Sequence, residues 1–346
     1  MSARAVILGA AGPTLEPDEA AFLREADPWG FIIFKRSVED PEQLKRLTGA
    51  LRDCVGRNAP VLVDQEGGRV QRIGPPNWKK RPPGRVFGEL YKQDPEAAVE
   101  AARLNFQLIG HELAAVGIDV DCVPNLDIGR RGANKAVVGD RVLGEEPEPV
   151  IALGRAVLEG LAHAGLAGVI KHMPGHGRAT VDSHFEMPRA EASAADLEAT
   201  DCAPFAALKD APMAMTAHLL YPAWDENNPA TTSPTIVSEI MRGKIGFGGL
   251  LMTDDISMKA LGGTFEERAR RALAADCDVV LHCNADRAEM EGVLAATPAL
   301  EGKALARAER AEAARGTPQA FDADAAEARL AELIGGLWGA SGEAVA

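Results

Sequence analysis

Eight short apolar runs alternate with longer Ala-, Leu- and Glu-rich stretches along 346 residues, and that alternation predicts an α/β fold, a single-domain (β/α)8 TIM barrel. Two further observations point the same way. No strong linker or composition break divides the chain, and polar, titratable residues recur where the apolar runs end.

The runs are Ala5–Gly9, Gly30–Phe34, Pro60–Asp64, Asp119–Val123, Ala167–Lys171, Met213–Ala217, Gly249–Thr253 and Asp278–His282. Each is short, apolar and bounded by turn formers, as a buried parallel strand should be. Between them, Pro95–Val116, Pro147–Ala164, Ala194–Leu208, Phe265–Ala275 and Ala288–Leu294 carry the spacing of amphipathic helices. Two insertions follow strand C-termini, where barrels carry function: residues 65–94, rich in Pro, Gly and Arg, and residues 173–190, rich in His. One domain is expected over 1–346, with C-terminal helices at about 302–340 packed on the barrel and Trp338 near their end.

Composition narrows the function. Lys and Arg number 37 against 51 Asp and Glu, a net charge of −14, which argues against a nucleic-acid binder built on clustered basic residues. The five cysteines (Cys54, Cys122, Cys202, Cys277, Cys283) are scattered with no CxxC pair, which suits a reducing compartment better than a disulfide scaffold. The N-terminus enters a strand at once, too short for a signal peptide, and no stretch reaches the length of a membrane span. The expectation is a cytoplasmic enzyme with no membrane or nucleic-acid partner and no cofactor. Its oligomeric state is left open.

The residues that close the strands carry the chemistry. The third strand ends in Asp64, followed by Glu66-Gly67-Gly68-Arg69 and Arg72; the fourth leads to Asn125 and Asp127, the fifth to Lys171 and His172. The sixth leads to His218, the seventh to Asp254-Asp255 and the eighth to His282 and Asn284, all expected at one mouth. Each also has a structural reading. Asp255 is the better N-cap for the following helix, leaving Asp254 to face the pocket. Lys171 is a counter-ion to Asp64 or Asp127, His218 is either a hydrogen-bonded core histidine or a pocket group, and Gly67-Gly68 is a turn more readily than a phosphate loop.

The densest segment is Lys171-His172-Met173-Pro174-Gly175-His176-Gly177, followed by Asp182-Ser183-His184. Its Pro and Gly residues break any helix, so a cation, three imidazoles and a carboxylate sit on a loop after a buried strand. This segment resembles the signature loop of glycoside hydrolase family 3, in its β-N-acetylglucosaminidase branch. Val63-Asp64-Gln65-Glu66-Gly67-Gly68-Arg69-Val70-Gln71-Arg72 resembles that branch's sugar-binding segment, and Leu251-Met252-Thr253-Asp254-Asp255-Ile256-Ser257-Met258 its nucleophile segment. Met215-Thr216-Ala217-His218 and Pro229-Ala230-Thr231-Thr232-Ser233-Pro234 fit as well. The family often has Phe where Met173 stands and Ser-Asp-Asp-Leu at 253–256, and residues 35–40 diverge more.

The resemblance implies that Asp254 is the nucleophile, that His184 is the general acid/base paired with Asp182, and that Asp64, Arg72, Arg141, Lys171 and His172 bind the sugar. Retaining hydrolysis needs a carboxylate to attack the anomeric carbon and a proton donor for the leaving oxygen. A histidine of ordinary pKa near 6.5 suits that donor role at neutral pH, and Asp182 fixes its tautomer. The expected activity is a retaining exo-β-N-acetylglucosaminidase acting through a covalent glycosyl-enzyme, with N-acetylglucosaminyl-1,6-anhydro-muropeptides of peptidoglycan recycling as the implied substrate. Its rivals are a phosphorylase on the same scaffold, a non-catalytic sugar-binding protein, and a metal-dependent hydrolase using His172, His176, His184 and Asp254. The last has awkward spacing, with no His-x-His on the first strand, and no metal is expected.

Overall fold

A computed structural model describes residues 2–129, 138–179 and 187–338. Eight parallel strands form its centre: β1 (Arg4–Gly9), β2 (Pro28–Ile33), β3 (Val61–Val63), β4 (Val120–Asp121), β5 (Ala167–Met173), β6 (Met213–Thr216), β7 (Leu250–Met252) and β8 (Val280–His282). Each pairs with the next, β8 pairs back onto β1, and the ring closes where Met252 bridges Val279. The Thr253 amide seals that seam by donating to the Val279 carbonyl at 3.0 Å. The fold is the (β/α)8 barrel that the alternation predicts.

Side-chain alternation divides the strands between two apolar layers. Ile7, Ile32, Leu62, Val169, Met215, Met252 and Leu281 cluster in one, the barrel interior. Val6, Leu8, Phe31, Ile33, Val61 and Val63 join the other, beneath the helices. Both layers are closed to water, which is why the strands read as continuous apolar runs.

The helices start where their sequences say they should. Proline stands in the first turn of Pro17–Ala26, Pro41–Val55, Pro95–Ala115 and Pro147–His163, where its missing N–H costs nothing. Asp40 and Asp94 cap two of them by accepting the amides of Gln43 and Ala97, and Thr264 with Glu267 forms a reciprocal capping box for Phe265–Ala274. Ala194–Leu208 departs from the single helix expected. A wide turn over Leu197–Asp201, closed by the Cys202 amide reaching the Leu197 carbonyl, separates two short helical pieces. Pro204, in the first turn of the second piece, has no N–H to continue the ladder.

The bottom of the barrel is plugged. Leu300, with Ala308 and Ala311 of helix Gly302–Ala313, packs into the interior cluster, and the Trp29 indole donates to Glu312 at 2.7 Å. Helix Ala323–Ile334 lies on the outside against Pro95–Ala115, pinned by Arg329 on Glu100 at 2.9 Å. No described helix is long and apolar enough to cross a membrane, and all five cysteines are buried and free.

Candidate active site

The strand C-termini deliver a tight ionic cluster. Asp64 leaves β3 and accepts from Lys171 Nζ at 2.8 Å and from Arg72 at 3.0 Å. Glu66 sits two residues on and accepts both Arg141 Nε and Nη2, at 2.8 and 2.6 Å, in a bidentate pair. Lys171 Nζ also lies 2.7 Å from Glu66, so the ammonium is buried between two carboxylates. Three cations therefore meet two carboxylates. Their pairing matters because a buried charge left alone would cost several kcal/mol, on the order of the whole stability of a domain.

Titration follows from that geometry. Burial alone would raise the Asp64 carboxyl, but Lys171 and Arg72 outweigh it and hold the group well below the usual carboxylate range. For Glu66, Arg141 and Lys171 overcome burial and hold it at about 2. Lys171 is raised despite burial, by the same two carboxylates. Asp121 behaves oppositely. Its side chain is buried with the Gln65 amide to accept and, among the described residues, no cation in contact, and desolvation lifts it to about 8.

A short hairpin positions Glu66 and Arg72. Strands Gln65–Gly67 and Val70–Gln71 pair antiparallel around Gly67 and Gly68, both at positive φ. A Cβ on Gly67 would lie 2.2 Å from the Pro82 carbonyl, so the turn needs glycine there on both counts. This is the turn expected of Gly67-Gly68. The wholly buried Gln65 side chain holds the hairpin's far arm, accepting the Arg72 and Ile73 amides and donating to the Ile73 carbonyl.

Lys171 and His172 lie within β5, which runs two residues beyond the expected end at Lys171. Lys171 pairs with Asp64 and Glu66. Its other expected partner, Asp127, belongs instead to His172: the imidazole Nδ1–H donates to Asp127 Oδ2 at 2.7 Å. Asp127 Oδ1 also accepts the His172 and His176 amides, at 3.2 and 2.7 Å. These donors overcome burial and hold Asp127 ionised well below its ordinary range. His176, buried beside His172, is pushed down to about 4 by desolvation and is neutral at pH 7. Gly177 passes so close to Ile128 that a Cβ would lie 1.9 Å from its carbonyl oxygen, which explains the glycine in this loop.

Asp254 follows β7 and is partly accessible at the mouth. Burial opposes its ionisation, but His172, His218, the Asp255 amide and Lys171 outweigh that and lower its pKa. Oδ1 accepts the Asp255 amide at 2.7 Å, its one hydrogen bond among the described residues. Neither Asp254 nor Asp255 caps a helix, contrary to the expectation for Asp255. The next helix begins at Phe265 under the Thr264 cap, and Asp255 instead accepts the Ser257 and Cys283 amides and the Ser257 hydroxyl. His218 is buried, as a core histidine would be, yet it serves the site: its Nε2–H donates to the Asp255 carbonyl at 3.0 Å, and Nδ1 meets the Thr231 hydroxyl at 2.7 Å.

Two strand-end residues do not reach the mouth. Leu281 and Cys283 face the interior, so alternation turns His282 outward, edge-on to Phe265 and 3.5 Å from Glu289. Asn284 donates to the same Glu289. Arg69 pairs with Asp140 at 2.9 Å. Asp182 and His184 lie outside the described residues. Of the rest, Asp64, Arg72, Arg141, Lys171, His172 and Asp254 are brought together, and Glu66 and Asp127 join them as the groups that hold Arg141, Lys171 and His172. Glu66 was legible in principle, because it shares Asp64's spacing of two on an extended segment.

Comparison with known proteins agrees with this geometry. Residues 12–314 match the glycosyl hydrolase family 3 N terminal domain. A β-hexosaminidase of Chromobacterium violaceum is 40% identical over 295 residues, 84% of this chain and 81% of that protein. One from Aromatoleum aromaticum is 37% identical over 326 residues, covering 93% and 90%. Among solved structures, native NagZ from Neisseria gonorrhoeae superposes with a TM-score of 0.87 at 32% identity, covering 96% of this chain and 98% of that one. The same protein in complex with N-trifluoroacetyl-D-glucosamine matches equally well. With its barrel, its ionic mouth and a family match over most of its length, this chain belongs to glycosyl hydrolase family 3 and is a glycoside hydrolase.

Proposed function

We propose that this glycoside hydrolase is a retaining exo-β-N-acetylglucosaminidase in which Asp254 is the nucleophile. The observation that carries the reading is Asp254 itself: an ionised, partly accessible carboxylate at the mouth, with only one hydrogen bond among the described residues. A nucleophile needs a lone pair free of strong donors, and the buried carboxylates around it are each tied to paired cations. Asp64 and Glu66 are each held by two cations. The Neisseria gonorrhoeae structure with N-trifluoroacetyl-D-glucosamine and the β-hexosaminidase relatives support the sugar.

In the proposed first step, Asp254 attacks the anomeric carbon as the glycosidic bond breaks, and the leaving oxygen takes a proton from His184. In the second, His184 takes a proton from water, which displaces the carboxylate. Asp182 holds the His184 tautomer. Asp64, Arg72, Arg141, Lys171 and His172 grip the sugar; the two paired cations let Asp64 stay ionised and accept from sugar hydroxyls. The test is trapping with a 5-fluoro N-acetylglucosaminyl probe followed by peptide mass spectrometry. Label on Asp254 is expected; label on Asp255, or tight inhibition by a thiazoline with no adduct, overturns the mechanism.

The aglycone we assign is a 1,6-anhydro-N-acetylmuramoyl peptide met in the cytoplasm, on the resemblance of the three long segments. Cleavage of an aryl N-acetylglucosaminide without cleavage of that disaccharide peptide would reject the aglycone and leave the activity standing. Formation of the sugar 1-phosphate in phosphate buffer would instead identify a phosphorylase.

A further inference from the structure

On the face opposite the mouth, two histidines from neighbouring helices meet. His111 lies in the last turns of Pro95–Ala115 and His163 ends Pro147–His163. Barrel helices run antiparallel to the strands, so both ends lie at the N-terminal side of the barrel. The helices are packed closely there: a Cβ on Gly110 would lie 2.6 Å from the Ala164 Cβ, and one on Gly160 would lie 2.5 Å from the Arg103 carbonyl. His111 Nε2 and His163 Nδ1 are 3.5 Å apart, and neither imidazole has another hydrogen-bond partner among the described residues. Phe321 stacks on His111 at a centroid distance of 4.5 Å, 5° from parallel, and meets His163 edge-on.

We propose that His111 and His163 form a bidentate site for a tetrahedral divalent metal of the zinc class, with water in the remaining positions. Three features carry the assignment. Two nitrogens bound at about 2.0–2.1 Å to a tetrahedral ion are about 3.3 Å apart, within a small adjustment of the distance seen; a square-planar ion would need about 2.8 Å. His163 ends its helix, where the dipole concentrates negative potential and favours a cation, while His111 stands a full turn inside its own. Both are half-buried and reachable from solvent, with Phe321 fixing the plane of one ring.

Among the described residues no third His, Cys, Asp or Glu completes a protein-only ligand set, so the site is an open clamp and not a closed structural centre. Its consequence is mechanical. The segment carrying Phe321 is stitched to the same helix end, through the Gln319 amide on the His163 carbonyl and the Gly316 amide on Gly165. A metal across the two imidazoles ties both helices together under that segment.

The binding mode dictates the tautomers, and the test reads them. In the full chain with ¹⁵N-labelled histidine, zinc should leave His111 protonated on Nδ1 and His163 on Nε2, with His111 Nε2 and His163 Nδ1 moving to ligated shifts. Cobalt(II) should give the visible d–d bands of a tetrahedral site. His111→Gln and His163→Gln should each bind one equivalent of zinc fewer than wild type and lose the zinc-dependent rise in melting temperature that ligation to the folded state gives. Turnover without added metal should be unchanged, since the pair is remote from the mouth. Unchanged imidazole shifts on adding zinc would show that the pair is only an N–H···N hydrogen bond and would overturn the proposal. Equal zinc stoichiometry in wild type and both variants would do the same. The NMR arm uses only wild-type protein, so a variant that fails to fold does not blunt the test.

Discussion

The two ends of the barrel use the same chemistry for opposite purposes. At the bottom, Asp278 stands two residues before β8 and is saturated: Arg242 and Arg307 donate to it at 2.7 and 2.8 Å, and the Leu251 amide adds a third bond at 2.9 Å. Asp119 does likewise beside β4, with Arg52, Arg315 and the Val61 amide. At Asp278 those lone pairs are spent inside the protein, whereas Asp119 is held as firmly but stays partly exposed. At the top, Asp64 and Glu66 are paired just as firmly, but Asp254 is left with a single amide among the described residues. A carboxylate satisfied on all sides is a rivet. One left with a single bond at an opening is available for the proposed chemistry, and that availability is what separates the two ends.

The sharpest way to break this contrast is Asp254→Asn. On its proposed role as nucleophile, loss of turnover on the order of 10⁴-fold or more is expected. The urea midpoint should barely move, because the side chain anchors only its neighbour's amide. A large fall in stability would make Asp254 a structural residue. The complementary variant at the other end is Asp278→Ala. Removing it takes the buried carboxylate from Arg242 and from Arg307 of the plug helix, and about 3–5 kcal/mol of stability should go, by the precedent of broken buried ion pairs. Turnover per folded molecule should hold; a selective loss of kcat with unchanged stability would blur the two ends.

The pH dependence sharpens the contrast within the mouth. Glu66 ionises at about 2 in the fold against an ordinary 4.5, so its contribution is present above about pH 4.5 and lost as pH falls towards 2. The shift corresponds to up to about 3 kcal/mol. Glu66→Gln should be less stable at pH 7 and lose less on acidification, which urea titrations between pH 6 and 3 would show. Parallel acid profiles for the variant and wild type would mean that the pairing with Arg141 and Lys171 contributes nothing.

Asp121 carries the opposite sign. Its carboxyl rests at about 8 in the fold and near 3.8 when unfolded, so the folded chain binds the extra proton and stability declines as pH rises from about 4 to 8. Asp121→Asn should flatten that decline while still accepting the Gln65 amide. An unaltered slope in denaturation from pH 5 to 8 would show that Asp121 is ionised in the fold.

Much of this was legible in the residues. The strands followed from apolar runs, and the helices Pro95–Ala115 and Pro147–His163 from amphipathic spacing, because both depend on neighbours a few positions away. What was not legible depended on the third dimension. Lys171 reads as a counter-ion to Asp64 or Asp127, and only packing shows that it takes Asp64 and also Glu66, while His172 takes Asp127. Asp255 read as a cap, but its helix begins ten residues later, at Phe265. His282 looked like a mouth residue until strand alternation turned it outward, a signal that the sequence held and a strand-end tally overlooks. His111 and His163 are 52 residues apart, and nothing local pairs them.

The closing of the ring also has a consequence during synthesis. β1 pairs with β8, and the backbone around it is sewn to the far end of the barrel: the Ala5 amide donates to Pro298, the Leu300 amide to Ala3, and Arg4 reaches the Leu294 and Thr297 carbonyls. Val6, Ile7 and Leu8 therefore leave the ribosome with one edge that has no mate for some 270 further residues. At about 5–20 residues per second this wait lasts on the order of 15–50 seconds. For that interval an apolar strand edge is available to any other nascent chain, the kind of edge from which aggregation starts. Yield in a cell should thus respond to elongation rate and to chaperones that shield strand edges, in a protein whose finished barrel exposes no edge at all.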